Sequence, residues 1–145
     1  MEEKAKEVTT IKGFTGKYEF LQNVFPCEIT LEDITYPNVE VAFWALRVKD
    51  IKSRRKIARL NAAKAKAKAL SCEPVEDWES KQYAIMRTLL TFKFNSNKEL
   101  GKKLKATGTA KLINEVTYRD EYWGIRGETG KNLLGKCLME VRENL

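Results

Sequence analysis

The segment VEVAFWALRV, residues 39–48, is an apolar stretch that predicts a buried central helix. Eight of its ten residues are apolar, and in a helical projection they lie on all sides. A helix with this pattern is enclosed by its neighbours, because it has no polar face to present to water. Asn38 is a good N-cap residue, and Glu40 falls in the first turn, where the helix dipole favours a negative charge. We therefore predict a helix from Val39 to about Ile51.

Glu40 and Arg47 are the two charged residues of this apolar segment. A separation of seven positions is two helical turns, so the side chains share one face and lie about 10 Å apart along the axis. Burying an unpaired charge costs several kcal/mol, so a fully apolar environment is unfavourable for both residues. This face either lines a cleft, where a carboxylate has a tunable pKa, or is structural, with a Glu–Arg bridge across two turns or an Arg47 that extends to solvent.

Charged and extended segments precede the central helix. Residues 1–10 are charged and lack apolar periodicity, so they predict a flexible tail ahead of a domain of residues 11–145. Apolar and polar side chains alternate within residues 27–36, on either side of Glu32 and Asp33. This pattern predicts a short β-hairpin with its turn at the two acids.

Helical patterns dominate the rest of the chain. No linker rich in Ser, Gly or Pro and no internal repeat interrupts them. The sequence therefore predicts an α+β fold, a predominantly α-helical single domain with a small β-hairpin or sheet. The predicted elements are a basic helix over 53–70, a helix over 75–94 with Asp77 as N-cap, a short helix ending at Thr107-Gly108, a strand at 112–113, a loop over 114–131 and a final helix from about 132.

The sequence contains no histidine, which excludes several kinds of chemistry at once. Ser-His-Asp triads, Cys-His dyads, His-ligated zinc and histidine acid–base catalysis all require that side chain. The three cysteines, Cys27, Cys72 and Cys137, are far apart and odd in number, which is typical of reduced thiols in a cytosolic protein. Nothing in the sequence demands a metal or another cofactor. Because no apolar run has the length of a membrane span and the N-terminus lacks a signal-peptide core, we predict a cytoplasmic protein without membrane contact.

The net charge of +7, from 27 basic and 20 acidic residues, is concentrated in one stretch. Nine basic residues and the single acid Asp50 lie between Lys49 and Lys68, so this stretch carries 9 − 1 = +8. Such a local field attracts phosphate groups. It indicates a nucleic-acid partner bound through Lys49–Lys68 or a solvated Lys/Ala face. The solvated face is favoured, because the interleaved aromatic side chains of a single-strand binder are missing.

A glycine-rich loop, residues 124–131, lies ahead of the last predicted helix and predicts an anion site. Glycines let the backbone approach a phosphate, and the free N–H groups at a helix start can bind it. The loop is not a P-loop, because Ile125 and Asn132 replace the first glycine and the Ser/Thr of that motif. Trp123, just before the loop, is either a stacking contact for a base or sugar or a core anchor, and Trp78 is better explained as core packing.

Several segments from Phe14 to the C-terminus form an ordered set of motifs. They are FTGKYEFLQNVF (residues 14–25), YPNVEVAFWALR (36–47), Trp78 with Met86, KF (93–94), TG and LI (107–108 and 112–113), DEYWG (120–124) and GKNLLGKCLMEVR (130–142). In this order and with these short gaps, the chain resembles the NADAR superfamily of YbiA-like N-glycosidases.

The resemblance implies a compact, mainly helical fold and hydrolysis of an N-glycosidic bond to ribose. The implied substrates are phosphorylated ribosylamino-pyrimidine intermediates of riboflavin synthesis, or ADP-ribose attached to guanine. Glu40 stands at the position of the family's carboxylate, which would hydrogen-bond ribose hydroxyls or stabilise positive charge as the bond breaks. Arg47 would orient the substrate, and Asp120 is a further catalytic candidate. The residues expected to contact substrate are Asn23, Trp44, Trp123, Gly124, Lys131, Asn132 and Gly135.

The chain departs from the family pattern around this carboxylate. The family has serine, histidine, glutamine and lysine where this chain has Gln22, Val41, Trp44 and Arg47. A lysine can form a Schiff base with a ring-opened ribosylamine, whereas an arginine stays protonated and can only clamp a phosphate or carboxylate. The sequence therefore supports an N-glycosidase of altered substrate or a non-catalytic module that binds ADP-ribose or a similar nucleotide. Nucleic-acid binding through the basic helix is the third hypothesis.

Overall fold

The structure, a computed structural model, describes residues 8–145, in which helices and short strands pack around an apolar core. The strands form two separate two-stranded sheets, and the predicted α+β class is confirmed. None of the helices in the described range is long and apolar enough to cross a lipid bilayer. In chain order the elements are β1 Thr10–Lys12, a 3-10 helix Gly16–Leu21, β2 Ile29–Leu31, β3 Ile34–Tyr36, α1 Val39–Arg47, α2 Ile51–Ile57, α3 Ala62–Leu70, α4 Trp78–Ser96, α5 Lys98–Ala106, β4 Lys111–Ile113 and α6 Leu133–Glu143.

Helix α1 lies at the centre of the core, as the apolar segment predicted. Five of its nine side chains are buried, and it packs against α2, α3 and α4. It ends at Arg47, four residues before the predicted end at Ile51. The helix stops because the next residue, Val48, adopts extended backbone and forms a β-bridge with Pro74.

The predicted single basic helix over residues 53–70 is wrong, because this stretch forms two helices. Asp50 caps α2 by accepting hydrogen bonds from the backbone N–H groups of Lys52 and Ser53. Asn61 then interrupts the helical pattern with extended backbone, and its side chain accepts from the N–H of Lys64 at 2.9 Å to start α3. An asparagine inside a lysine- and alanine-rich run is a cap as readily as a helix-interior residue, and here it caps.

The predicted β-hairpin is confirmed. Strands β2 and β3 are antiparallel, with Ile29 opposite Tyr36 and Leu31 opposite Ile34. The two intervening acids, residues 32–33, both have positive φ angles, 52° and 62°. Two consecutive residues of this kind make the tight turn that matches the twist of a hairpin.

The predicted strand at residues 112–113 is also present, and its partner comes from the N-terminal end of the domain. Strand β4 pairs in parallel with β1, with Ile11 opposite Leu112. Thr10, which the sequence placed in the tail, is the first residue of β1, because its pairing with Lys111 gives the backbone a partner. Residues 1–7 of the predicted tail lie outside the described residues.

Helix α4 begins at Trp78 instead of the predicted Val75. The N–H of Val75 donates to the carbonyl oxygen of Arg47 at 2.8 Å, so this residue belongs to the connection with α1. Asp77 occupies the N-cap position that the sequence predicted, but its backbone is left-handed (φ 56°) and its side chain makes no capping bond. The predicted end of the following helix is confirmed: Gly108, just beyond α5, has a φ of 61°, as a glycine that ends a helix does.

The cysteines are free thiols in or beside the core. Cys27 and Cys137 are buried and Cys72 is half-buried. Burial raises the pKa of the Cys27 thiol, and it raises the pKa of Cys137 to about 12. At neutral pH both buried thiols are therefore protonated and poor nucleophiles, in agreement with the predicted role as reduced core thiols.

Lys93 of α4 is a fully buried lysine that anchors the N-terminal part of the chain. Its Nζ donates to the backbone carbonyl oxygens of Phe20 and Gln22, at 2.8 and 3.0 Å. The ammonium also lies over the rings of Phe25 and Phe94, 5.7 and 5.1 Å from their centroids. Two hydrogen bonds and two aromatic faces replace part of the hydration that burial removes.

Burial nevertheless lowers the pKa of Lys93 to about 8, with an opposing contribution from Cys27. In the unfolded chain the same amine keeps its proton up to an ordinary pKa of about 10.4. Between these two values the unfolded state binds more protons than the folded state, so the free energy of unfolding rises with pH. Charged Lys93 thus lowers stability at neutral pH and ceases to do so as pH rises through this window.

We expect Lys93→Met to remove this pH dependence. The free energy of unfolding of the unmodified protein should rise more steeply between pH 7 and pH 9.5 than that of Lys93→Met, measured by guanidinium denaturation at both pH values. Lys102→Met, which removes the same charge from an exposed position of α5, should keep the steeper rise. Equal slopes for Lys93→Met and the unmodified protein would show that Lys93 does not titrate in this range.

Candidate active site

A cavity of about 600 Å³ opens beside the first turn of α1. This volume lies within the range of small-molecule pockets in proteins. Three parts of the chain form most of its walls: residues 12–15 with 22–24, the α1 side chains, and the loop 114–120 with Trp123. Single side chains of α3, α4 and α6 complete them: Lys66, Gln82, Met86 and Leu134. The parallel pairing of β1 with β4 brings the first and third of these walls together.

Glu40 presents its carboxylate to this cavity from the first turn of α1. Its Oε1 accepts a hydrogen bond from the indole Nε1 of Trp44, one turn later, at 2.7 Å. Its Oε2 accepts from Nδ2 of Asn23 at 3.5 Å. The backbone N–H of Glu40 also donates to the carbonyl oxygen of Asn23 at 3.1 Å. These bonds hold the carboxylate in one orientation while the residue remains half-buried.

Asn23 is the buried polar residue of the cavity wall, with 9% of its surface exposed. Besides the bond to Glu40, its Nδ2 lies 3.7 Å from the sulfur of Met86. Its Oδ1 is buried and has no hydrogen-bond partner among the described residues. A buried acceptor without a partner costs about 1–3 kcal/mol, and a hydroxyl group of a ligand in the cavity could satisfy it.

Aromatic side chains form the floor of the cavity. Phe43 is buried in α1 and contacts the indole rings of Trp44, Trp78 and Trp123, with centroid distances of 5.4, 5.1 and 5.5 Å. Trp123 also stacks on Tyr83, with ring centroids 6.4 Å apart and an angle of 7° between the ring planes. Trp78 therefore packs in the core, as the sequence favoured. Trp123 is anchored on the core side and lines the cavity with the rest of its surface.

Asp120 lines the same cavity, in the loop before Trp123. Its Oδ1 accepts from the backbone N–H of Trp123 at 3.1 Å, which fixes the loop. Tyr118, 62% exposed, also lines the cavity, and its pKa is raised by desolvation and by the nearby carboxylates of Asp120 and Glu40. The two carboxylates are therefore close enough to act on one phenol. Tyr118 was not predicted from the sequence, although an aromatic ring two positions before the candidate acid is a signal that could have indicated it.

Arg47 does not line this cavity, so the structure separates it from Glu40. Its Nη1 donates to the carbonyl oxygen of Ala69 at 2.8 Å, in the last turn of α3. A cation at a helix C-terminus interacts favourably with the helix dipole. Because α1 ends at Arg47, its long side chain leaves the helix toward α3, and the prediction that the two charges share a cavity is corrected.

The glycine loop before α6 does not form the predicted anion site. The N–H groups of four successive residues at the start of α6, residues 131–134, donate to the carbonyl oxygens of Glu121, Gly124, Tyr122 and Trp123. The backbone donors that were expected to bind a phosphate are therefore already paired. Lys131 is exposed and does not line the cavity.

Three of the predicted substrate contacts support the backbone around the cavity without lining it: Asn132, Gly135 and Gly124. The Asn132 side chain accepts from the N–H of Asn114 at 2.8 Å and donates to the carbonyl oxygen of Leu112 at 2.9 Å. A Cβ at Gly135 would collide with that same carbonyl and with the Asn132 side chain. A Cβ at Gly124 would lie 2.8 Å from the carbonyl oxygen of Asn114. These residues lie outside the cavity wall and fix β4 and the loop that carries Trp123.

Val41, which replaces the family's histidine, is fully buried in the core. Val41 therefore contributes to the packing of α1 and does not line the cavity. Among residues 8–145, no group of three or more Cys, Asp or Glu side chains is arranged to hold a metal ion. The side chains that line the cavity supply three carboxylates, of Glu40, Glu115 and Asp120, together with the phenol of Tyr118, several amides and three cations.

Comparisons with known proteins identify the family of the chain and several relatives. The NADAR domain family model matches residues 5–145. The chain is similar to N-glycosidase YbiA of Escherichia coli, 37% identical over 132 residues that cover 88% of this chain and 82% of YbiA. It is also similar to a riboflavin biosynthesis protein of Vibrio vulnificus, 36% identical over 131 residues, and spans 35% of the length of that protein and 87% of its own. The NMR structure of Escherichia coli YbiA matches with a TM-score of 0.82 and 34% identity, over 94% of this chain and 85% of YbiA.

We expect Gly135→Ala to destabilise the protein by about 3 kcal/mol, because the added methyl group meets backbone that cannot move freely. Gly127→Ala is the matched control: its φ of 65° makes alanine strained, but nothing lies within 4 Å of the new methyl group. That change should cost only about 1 kcal/mol. Urea unfolding of both variants gives the two values, and equal losses would refute the packing role of Gly135.

Proposed function

The chain belongs to the NADAR domain family and is an N-glycosidase, and we propose that its substrate is a ribosyl phosphate or an ADP-ribosyl compound. The observation that carries the proposal is the Glu40 carboxylate, held by Trp44 and Asn23 at the wall of a cavity of about 600 Å³. A relative named as a riboflavin biosynthesis protein makes a ribosylamino-pyrimidine phosphate one candidate substrate, and ADP-ribosylated guanine is the other.

Glu40 is proposed to stabilise the reaction by its negative charge. Cleavage of the bond between the anomeric carbon and the base nitrogen leaves positive charge on the ribose ring. A fixed carboxylate beside that ring stabilises this charge without having to reorient during the reaction. The same carboxylate can accept a hydrogen bond from a ribose hydroxyl, and Asn23 Oδ1, which has no partner among the described residues, can accept another.

Asp120 is proposed to activate the attacking water. It lines the cavity, and its Oδ1 accepts a hydrogen bond from the backbone N–H of Trp123, which leaves its second oxygen for a further partner. As general base it would take one proton from water while the hydroxyl group bonds to the anomeric carbon. The base nitrogen departs with the electron pair of the broken bond and is protonated through solvent by the proton that Asp120 has taken up. The products are the released base and a ribose with a 1-hydroxyl group.

The aromatic floor is proposed to hold the base of the substrate. The indole of Trp123 lines the cavity and is backed by Phe43 and Tyr83, so it presents a rigid flat surface. Stacking on such a surface costs little conformational entropy, because the ring is already fixed. Trp44 has its N–H committed to Glu40 and would contact the sugar through its ring.

We expect Glu40→Gln to lower kcat at least 100-fold, with a smaller change in KM, because the amide keeps the shape of the side chain but not its charge. The assay uses chromatography to measure release of the pyrimidine from ribosylamino-pyrimidine phosphate and of guanosine from ADP-ribosylated guanosine. Glu28→Gln makes the same chemical change at an exposed residue outside the cavity and should leave the rate unchanged. Equal rates for Glu40→Gln and the unmodified protein would exclude Glu40 from catalysis.

The same experiment separates hydrolysis from binding alone. Arg47 stands in place of the family's lysine and points away from the cavity, which is the observation that favours a non-catalytic module for ADP-ribose or a similar nucleotide. A protein of that kind would bind ADP-ribose in calorimetry and release no base from either substrate. Release of base from one of the two compounds would identify the substrate and reject the binding module.

A further inference from the structure

We propose that Lys66 binds the phosphate group of the substrate, an inference that rests on the proposed function. Lys66 lies on α3 and lines the cavity. Its Nζ is 5.6 Å from the centroid of the Trp44 ring, and the indole N–H of Trp44 donates to Glu40. The side chain of Trp44 therefore contacts both the Lys66 ammonium and the carboxylate that is proposed to act on the sugar.

The helix that carries Lys66 is fixed at both ends. Asn61 caps its first turn, and the Arg47 guanidinium binds the carbonyl oxygen of Ala69 in its last turn. Ala65, the neighbour of Lys66, is fully buried. Because the helix is capped, paired and packed, the stem of Lys66 starts from a fixed point beside the cavity. The Trp44 ring then attracts the ammonium by a cation–π interaction, which favours positions near the cavity wall.

The charge distribution distinguishes Lys66 from the other cations of the basic stretch. Of the nine basic residues between Lys49 and Lys68, all of them inside the described range, Lys66 alone lines the cavity. Three cations line the cavity: Lys12, which pairs with Glu115 at 3.4 Å, and Lys66 and Arg119, neither of which has a carboxylate within ion-pair distance in residues 8–145. Lys66 differs from Arg119 by its contact with the ring of Trp44, the residue that binds Glu40. An ammonium without an ion pair is the stronger attractor for a phosphate that enters the cavity.

Lys66 also gives the cavity a positive charge that Arg47 does not provide. The Arg47 guanidinium is held by α3 and does not reach the cavity, so α1 contributes no cation to the site. Lys66, on the neighbouring helix, places a positive charge at the same cavity from the other side of Trp44. A flexible ammonium suits a phosphate group, since it binds as a point charge and needs no planar, bidentate partner.

The test compares binding of ribose 5-phosphate, ADP-ribose and ribose by calorimetry. We expect Lys66→Met to weaken binding of a phosphorylated ligand about 10-fold, because one charge-assisted hydrogen bond is lost, and to leave ribose binding unchanged. A loss confined to ribose 5-phosphate identifies a monoester site, and a loss with ADP-ribose identifies a diphosphate site. In turnover, the same variant should raise KM for the phosphorylated substrate with little change in kcat.

Lys64→Met and Lys68→Met are matched controls, because they remove the same charge from exposed positions of α3 that do not line the cavity. Both should stay within about twofold of the unmodified protein. The inference is overturned if all three variants weaken binding equally, if Lys66→Met has no effect, or if the unmodified protein binds neither phosphorylated ligand. Phosphate binding that depends on Lys66, without release of base from any substrate, would keep this inference and reject the proposed hydrolysis.

Discussion

The hydrogen bonds that Trp44 and Asn23 donate to the Glu40 carboxylate are the interactions on which the candidate site depends. Helix α1 is enclosed by the core, and a carboxylate on such a helix needs partners or contact with water. The first turn supplies both, because it lies at the edge of the core beside the cavity. The same position that makes Glu40 tolerable in an apolar helix therefore makes it available to a ligand.

Asn23 reaches Glu40 only because the segment before it is held in place. Lys93 donates two hydrogen bonds to the backbone on the N-terminal side of Asn23, at Phe20 and Gln22. Holding this backbone segment with a buried ammonium costs free energy, because burial disfavours the charged amine and lowers the pKa of Lys93 to about 8. The contact joins α4 to the wall of the cavity and gives the core a direct influence on the geometry of the carboxylate.

The second wall of the cavity depends on close backbone approach. Asn132 donates a hydrogen bond to the carbonyl oxygen of Leu112, and Gly135 leaves room for that oxygen because it has no Cβ. The N–H groups at the start of α6 donate to the loop that carries Trp123. These are the positions at which this chain best matches the NADAR motifs. The match at these positions preserves the frame, and the departures at Val41, Trp44 and Arg47 fall on α1. Two of those departures, at Val41 and Arg47, lie away from the cavity.

Four features could be predicted from the amino-acid sequence: the α+β class, the central position of α1, the hairpin turn at residues 32–33 and the placement of Glu40 in a first helical turn. Each of these follows from local pattern: apolar periodicity, a cap residue and a two-residue turn. Tertiary structure decided which polar groups meet. Seven positions on a helix predicted a shared face for Glu40 and Arg47, yet the carbonyl end of α3 binds the guanidinium, and a lysine from α3 lines the cavity instead. Side-chain partners depend on which helices pack together, and spacing along one helix contains no information about its neighbours.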